Sequence, residues 1–136
     1  MTLIDAGPLV ALADRNDPNH EKCVEVMRGL LSGLLVTTWP CVTEAMYLLG
    51  RVGGHAAQRQ LWRIWESGDL AIQDLTAGEV DRMISLMEKY HDTPMDLADA
   101  SIVAVAESLG INRVFTLDSD FRIYRLSDGS AFEIIP

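Results

Sequence analysis

The sequence predicts an α/β protein in which helices flank a central parallel sheet of four to five strands, giving three layers. Short apolar runs rich in β-forming residues alternate along the chain with segments of helical length and periodicity. These runs lack the in-and-out polarity of a half-exposed strand, which is typical of parallel strands covered on both faces. With 136 residues, 49% of them hydrophobic, the chain is predicted to form one domain, residues 1–136.

The first quarter of the chain predicts two strands separated by two helices. Thr2 to Asp5 is the first strand, and a helix begins at Gly7-Pro8, where proline is tolerated in the first turn. Asp17-Pro18 is predicted to be the N-cap and first residue of a second helix that runs to about Ser32. The second strand is predicted from Leu34 to Thr38.

The middle of the chain predicts two helices with an apolar surplus. One starts at Pro40, the other spans about His55 to Glu66, and Gly53-Gly54 is predicted to form the turn between them. Together they carry more apolar residues than one buried face requires. Either core packing uses the surplus, or a partner helix or a second copy of the chain covers it.

The last half predicts three more strands. Leu70 to Ile72 is the third strand, and a capping box at Thr76 to Glu79 opens the next helix. A further helix spans Asp96 to Leu109, followed by a strand at Arg113 to Leu117 and a candidate fifth strand at Phe132 to Ile135.

Several classes of protein are excluded on composition. No apolar run approaches the roughly 18 residues that a membrane-spanning helix needs, and the N-terminus lacks the basic region of a signal peptide. Two cysteines, Cys23 and Cys41, make neither a disulfide framework nor a zinc site, so we expect buried free thiols. These features predict a cytoplasmic protein that does not contact membranes.

The charge balance is acidic, with 20 Asp and Glu against 11 Lys and Arg, a net charge of −9. This argues against broad, sequence-blind binding of nucleic acid, which needs a basic face. Bound divalent cations would make the effective charge less negative.

Carboxylates follow the predicted strands at the edge where parallel sheets bind ligands. Asp5 and Asp118 end the first and fourth strands, and Glu44 lies early in the helix after the second. Asp96 and Asp99 occupy the first turn of the helix before the fourth strand, and their spacing of three places them on one face. The sequence therefore predicts an acidic cluster at one edge of the sheet.

Each acid also has a simpler interpretation. Capping alone would explain Asp96, and Asp120 is consistent with an ordinary turn residue. Capping explains Asp99 and Glu44 less well, because both stand in apolar stretches where an unpaired carboxylate is costly to bury.

Converging acids repel one another unless a cation lies among them. Oxygen-only ligands favour Mg²⁺ or Mn²⁺, and such ions suit phosphoryl chemistry, which predicts a nuclease or a phosphatase without a covalent nucleophile.

Four segments together resemble the PIN domain, and most closely the small toxins of VapBC-type toxin–antitoxin pairs. The resemblance covers nearly the whole chain, and the matching segments are Leu3 to Leu12, Thr43-Glu44-Ala45, Pro94 to Ala104 and Thr116 to Phe121.

The resemblance implies a Mg²⁺- or Mn²⁺-dependent endoribonuclease that cleaves RNA and arrests translation, with a cognate antitoxin that blocks the site and a homodimeric assembly. By motif match, the catalytic and metal-binding acids would be Asp5, Glu44, Asp99 and Asp118, with Asp96 and Asp120 as further metal ligands. Thr116 matches a hydroxyl of the family, whereas Ala6 departs from the Ser or Thr that often follows the first Asp.

RNA would need cations near this acidic site. Arg122 and Arg125 are the strongest candidates because they lie close in sequence to Asp118. The alternatives to a toxin are a non-catalytic PIN-like interaction module and a PIN nuclease that processes RNA without an antitoxin; a metal-dependent phosphatase is the weakest.

Overall fold

The computed structural model describes residues 1–30 and 33–136. Within these residues, five strands form one sheet in which every adjacent pair is parallel, in the order β3-β2-β1-β4-β5. The strands are β1 (Thr2–Ile4), β2 (Leu35–Thr38), β3 (Leu70–Gln73), β4 (Arg113–Phe115) and β5 (Glu133–Ile135). The predicted parallel α/β architecture is confirmed, and the candidate fifth strand is present at the sheet edge.

In the described part of the chain, five α-helices and one short 3₁₀ helix connect the strands. The helices are α1 (Ala6–Ala13), α2 (His20–Leu30), α3 (Trp39–Glu66), α4 (Ala77–Lys89) and α5 (Leu97–Leu109), and the 3₁₀ helix is Ser119–Arg122. Helix α1 packs on α2 and α3, and α5 packs on α3 and α4. Among the described residues, no helix is both long and apolar enough to cross a bilayer.

The core lies around the two central strands and α5. Every residue of β1 and β2 is buried, and so is the unbroken stretch of α5 from Ala98 to Ala106. A helix that is apolar on all sides is buried on all sides, which is why Asp99 enters the interior with its neighbours. Both cysteines, Cys23 and Cys41, are buried and unpaired, as predicted.

Helix α2 begins later than the predicted N-cap at Asp17, so that prediction was wrong. The Asp17 carboxylate accepts the N–H of Asn19 (2.8 Å), and its carbonyl accepts the N–H of His20 (3.0 Å). These bonds form a separate turn, and the helix starts at His20. The predicted end at about Ser32 lies outside the described residues.

The predicted turn at Gly53-Gly54 is a one-residue kink within α3. Gly54 has φ 64° and ψ −154°, while helical hydrogen bonding continues on both sides. Only glycine adopts this backbone region readily. Chain direction therefore changes at Gly54 without a loop.

Strand β4 ends two residues before the predicted Leu117. The side-chain oxygen of Thr116 accepts the N–H of Asp118 (3.0 Å), which turns the chain out of the strand. This turn brings Asp118 to the edge of the sheet.

Candidate active site

Three carboxylates meet near the carboxyl ends of the neighbouring strands β1 and β4. Asp5 follows β1, Asp118 follows the turn after β4, and Asp99 stands in the first turn of α5. One oxygen from each lies within 4.8 Å of the others. Asp5 and Asp99 are nearly inaccessible, at 6% and 5% exposed. We call these three residues the acidic triad.

Asp5 is held by local and distant donors at once. As the N-cap of α1, its Oδ1 accepts the N–H of Ala6 (2.8 Å), and its Oδ2 accepts the Thr116 hydroxyl (3.0 Å). Burial raises the pKa of Asp5; these two hydrogen bonds oppose that rise, and the charges of Asp118 and Asp96 add to it.

Asp99 is held by a tyrosine that sequence reasoning missed. Its Oδ2 accepts the hydroxyl of fully buried Tyr124 (2.8 Å). Burial raises the pKa of Asp99 to about 8, the Tyr124 bond opposes this, and the charges of Asp96, Asp5 and Asp118 add to it. Near neutral pH the triad therefore favours an additional proton or a cation.

Asp118 caps the 3₁₀ helix that follows it. Its Oδ1 accepts the N–H of Asp120 (2.9 Å), which fixes the carboxylate against the turn. The Asp120 carboxylate lies outside the triad. Its backbone carbonyl accepts the N–H groups of Ile123 and Tyr124, as in an ordinary turn.

Glu44 and Asp96 also stand outside the acidic triad. Asp96 is the N-cap of α5 and accepts the N–H of Asp99 (2.8 Å), so the capping interpretation holds for it. Glu44 lies exposed in the second turn of α3. Partial burial of its carboxyl group raises the pKa of Glu44, and the negative charges of Asp96, Asp5 and Asp118 raise it further. Glu44 therefore interacts electrostatically with the triad.

An apolar groove opens beside Glu44 and Asp96. It encloses about 750 Å³, and its other walls are Trp39, Pro40, Thr43, Tyr47, Leu75, Leu97 and Ala98. The Trp39 indole N–H donates to Asp74 (2.8 Å), which fixes the ring, and the Tyr47 side chain is 64% exposed.

The apolar surplus predicted for the middle of the chain is largely on the surface. Leu49 and Leu61 are buried, whereas Leu48, Trp62 and Trp65 are each more than a third exposed. Core packing therefore accounts for only part of it.

A small polar pocket of about 190 Å³ borders the triad at Asp118. Arg122 lines this pocket, but Arg125 does not. One guanidinium nitrogen of Arg125 donates to the carbonyls of Arg122, Ile123 and Tyr124 (2.7, 3.2 and 2.9 Å). The geometry therefore favours Arg122 over Arg125 as a group open to a ligand.

The donor set fits a hard divalent cation. The triad offers carboxylate oxygens only, and two of its members are buried acids with raised pKa values, so a bound cation would relieve their mutual repulsion.

The sequence is similar to known proteins over nearly its whole length. The PIN domain pattern matches residues 2–126. Ribonuclease VapC26 of Mycobacterium tuberculosis is 27% identical over 135 residues, which cover 98% of this chain and 99% of the relative.

Two solved structures share the architecture. Mycobacterium tuberculosis VapC20, a sarcin-ricin loop cleaving toxin, has a TM-score of 0.77 at 21% identity and covers 88% of this chain and 92% of its own. Rickettsia felis VapBC2, solved bound to a DNA fragment from its promoter, has a TM-score of 0.69 at 12% identity, covering 99% and 98%. On the match over residues 2–126 and this architecture, the chain belongs to the PIN domain family.

Proposed function

We propose that this protein is a divalent-metal-dependent endoribonuclease that hydrolyses RNA phosphodiester bonds as the toxin of a toxin–antitoxin pair. The acidic triad carries the proposal, because three carboxylates from distant segments meet within 4.8 Å at the ligand-binding edge of a PIN fold. Similarity to ribonuclease VapC26 over nearly the full chain supports RNA as the substrate, and an RNA substrate in translation implies action in the cytoplasm.

Asp5, Asp99 and Asp118 would hold Mg²⁺ or Mn²⁺, with Glu44 and Asp96 reaching in from the rim. Such a cation, when bound, lowers the pKa of water and stabilises charge on a phosphoryl group. The protein supplies the fixed geometry: Thr116 orients Asp5, Tyr124 orients Asp99, and the N–H of Asp120 orients Asp118. Asp120 itself acts through this backbone bond.

The antitoxin would cover the apolar groove beside Glu44 and Asp96. The exposed Trp39, Tyr47 and Leu97 offer an apolar surface next to the triad, and the two carboxylates at its edge favour a basic residue in the partner. The VapBC2 neighbour supports a partner of this kind. A segment seated there would block access to the triad.

A homodimer would use the second exposed apolar face. Trp62 and Trp65 pack edge to face with centroids 6.2 Å apart, and both remain more than a third exposed. Sedimentation of the free protein tests this, with a Trp65→Glu variant expected to be monomeric.

Cleavage of total cellular RNA by the purified protein tests the proposed function. We expect discrete fragments in Mg²⁺ or Mn²⁺ and none in EDTA. Intact RNA under every condition, from a folded protein, would favour the interaction module instead.

A further inference from the structure

We propose that Lys22 and Arg122 form a subsite for an RNA backbone phosphate beside Asp118. Both line the polar pocket, together with Thr116, Asp118, Ser119 and Ile134. The inference rests on the proposed function, since it names the part of the same site that holds the substrate. Lys22 comes from α2 and was not a candidate on the sequence.

The two cations come from elements far apart in the chain. Lys22 is the third residue of α2, and Arg122 ends the 3₁₀ helix, one hundred positions later. The fold brings both to a pocket that also touches the acidic triad through Asp118. Two positive charges therefore line one pocket beside a triad carboxylate, in a chain of net charge −9.

Both side chains are exposed and available. Within residues 1–30 and 33–136, neither forms an ion pair or donates a side-chain hydrogen bond. Two other arginines, by contrast, are held in ion pairs: Arg82 pairs with Glu107 and Arg113 with Glu133. A structural role in the fold therefore does not explain the placement of Lys22 and Arg122.

The size of the pocket selects the kind of ligand. A volume of about 190 Å³ equals roughly six water molecules, which admits a phosphate group. A partner helix, with its diameter of about 10–12 Å, is too wide. An ammonium and a guanidinium are the usual phosphate ligands.

The position beside Asp118 indicates how the subsite would act on the substrate. A phosphate held by Lys22 and Arg122 would fix the RNA backbone next to the triad, so that a neighbouring phosphodiester lies over the carboxylates. Binding there reads the backbone and not the base, so its contribution is independent of sequence.

The test measures RNA binding as well as cleavage. A fluorescein-labelled single-stranded RNA of mixed sequence is titrated into the Asp99→Asn protein and into the same protein carrying Lys22→Ala or Arg122→Ala. Arg28→Ala is the matched control, because Arg28 is an exposed cation of the same helix that pairs with the exposed Glu25 and lies outside the polar pocket.

We expect each subsite variant to weaken binding roughly two- to fivefold. Each should also lower the slope of log affinity against log salt by about 0.7, the value of one phosphate contact on a single strand. Lys22→Arg should restore both quantities. In the Asp99-containing protein, Lys22→Ala should lower cleavage by a similar factor.

Unchanged affinity and slope in Lys22→Ala, equal to those of Arg28→Ala, would overturn the subsite. If the wild-type protein still cleaves RNA in that case, the nuclease proposal stands alone. If Lys22→Ala lowers the salt slope but the wild-type protein cleaves no RNA, the subsite is retained and the nuclease proposal is refuted. Tight binding of inorganic phosphate that Lys22→Ala abolishes would assign the pocket to a free anion and contradict an RNA site.

Discussion

The Thr116 hydroxyl joins two members of the acidic triad, since it donates to Asp5 and accepts the N–H of Asp118. Thr116→Val removes both bonds at nearly constant volume. We expect Mn²⁺ affinity to fall about 10- to 100-fold, as for other groups that orient metal ligands. Calorimetric titration of Mn²⁺ measures this, and Thr116→Ser is the control that should retain most of the affinity. Equal affinities in all three proteins would contradict the role.

Tyr124 is the second residue that orients the triad. Its hydrogen bond opposes the burial that raises the pKa of Asp99, so Tyr124→Phe should raise that pKa further. A cation would then compete with a more tightly held proton. We expect the pH at which Mn²⁺ binds half-maximally to move upward, and an unmoved pH profile would refute the link.

The Asp99 carboxylate should make the metal-free protein sensitive to pH. Its pKa is about 8 in the fold and 3.8 ordinarily, so between these values the unfolded chain has lost a proton that the folded chain keeps. Stability present below pH 3.8 is therefore lost as pH rises towards about 8.

Asp99→Asn removes this sensitivity. In EDTA at pH 8 we expect this variant to be more stable than the wild type by on the order of 1 kcal/mol, which raises Tm by roughly 3–5 °C. The difference in Tm should shrink as pH falls towards 4. A difference that is constant with pH would show that Asp99 keeps its ordinary pKa.

At the scale of elements, the Gly54 kink sets the course of α3. Gly54→Ala forces a Cβ into a backbone region with φ 64° and ψ −154°, and we expect a loss of about 1–3 kcal/mol. Gly29 is the matched control, because it is helical with open space around it, so Gly29→Ala should stabilise by about 0.5–1 kcal/mol. Urea unfolding measures both, and a neutral Gly54→Ala would contradict the kink.

Most elements could be predicted from local signals. The capping box at Thr76 and Glu79 and the C-terminal Gly110 of α5 appear where the sequence places them. The start of α2 could not be predicted, because aspartate is common both at helix N-caps and in turns such as the one that Asp17 forms. A single-residue kink at Gly54 likewise has the composition of a short loop.

Across the whole molecule, the order of the strands depends on contacts that the sequence does not display. Alternation of strands and helices predicts a parallel sheet, and the carboxyl-edge rule then points to Asp5 and Asp118. The sequence pattern gives no distances between side chains. Only the folded structure therefore separates the acidic triad from Glu44, Asp96 and Asp120. Tyr124 and Lys22 reach the site from segments with no motif of their own.

The apolar groove should decide how the molecule is controlled. Tyr47→Asp places a charge on its exposed wall without touching the core. We expect this variant to cleave RNA as the wild type does and to escape inhibition by the antitoxin, with at least a tenfold loss of affinity, about 1.4 kcal/mol. Inhibition by the antitoxin that is as strong as for the wild type would move the partner to another surface.

Metal-dependent RNA cleavage by Asp99→Asn, beside the wild type and Asp92→Asn, tests the triad most directly. Asp92 is a matched control because it is an exposed acid seven residues away. We predict that the wild type and Asp92→Asn cut RNA in Mn²⁺ and not in EDTA, while folded Asp99→Asn cuts nothing. Cleavage by Asp99→Asn at the wild-type rate would contradict the assignment of the acidic triad as the catalytic site.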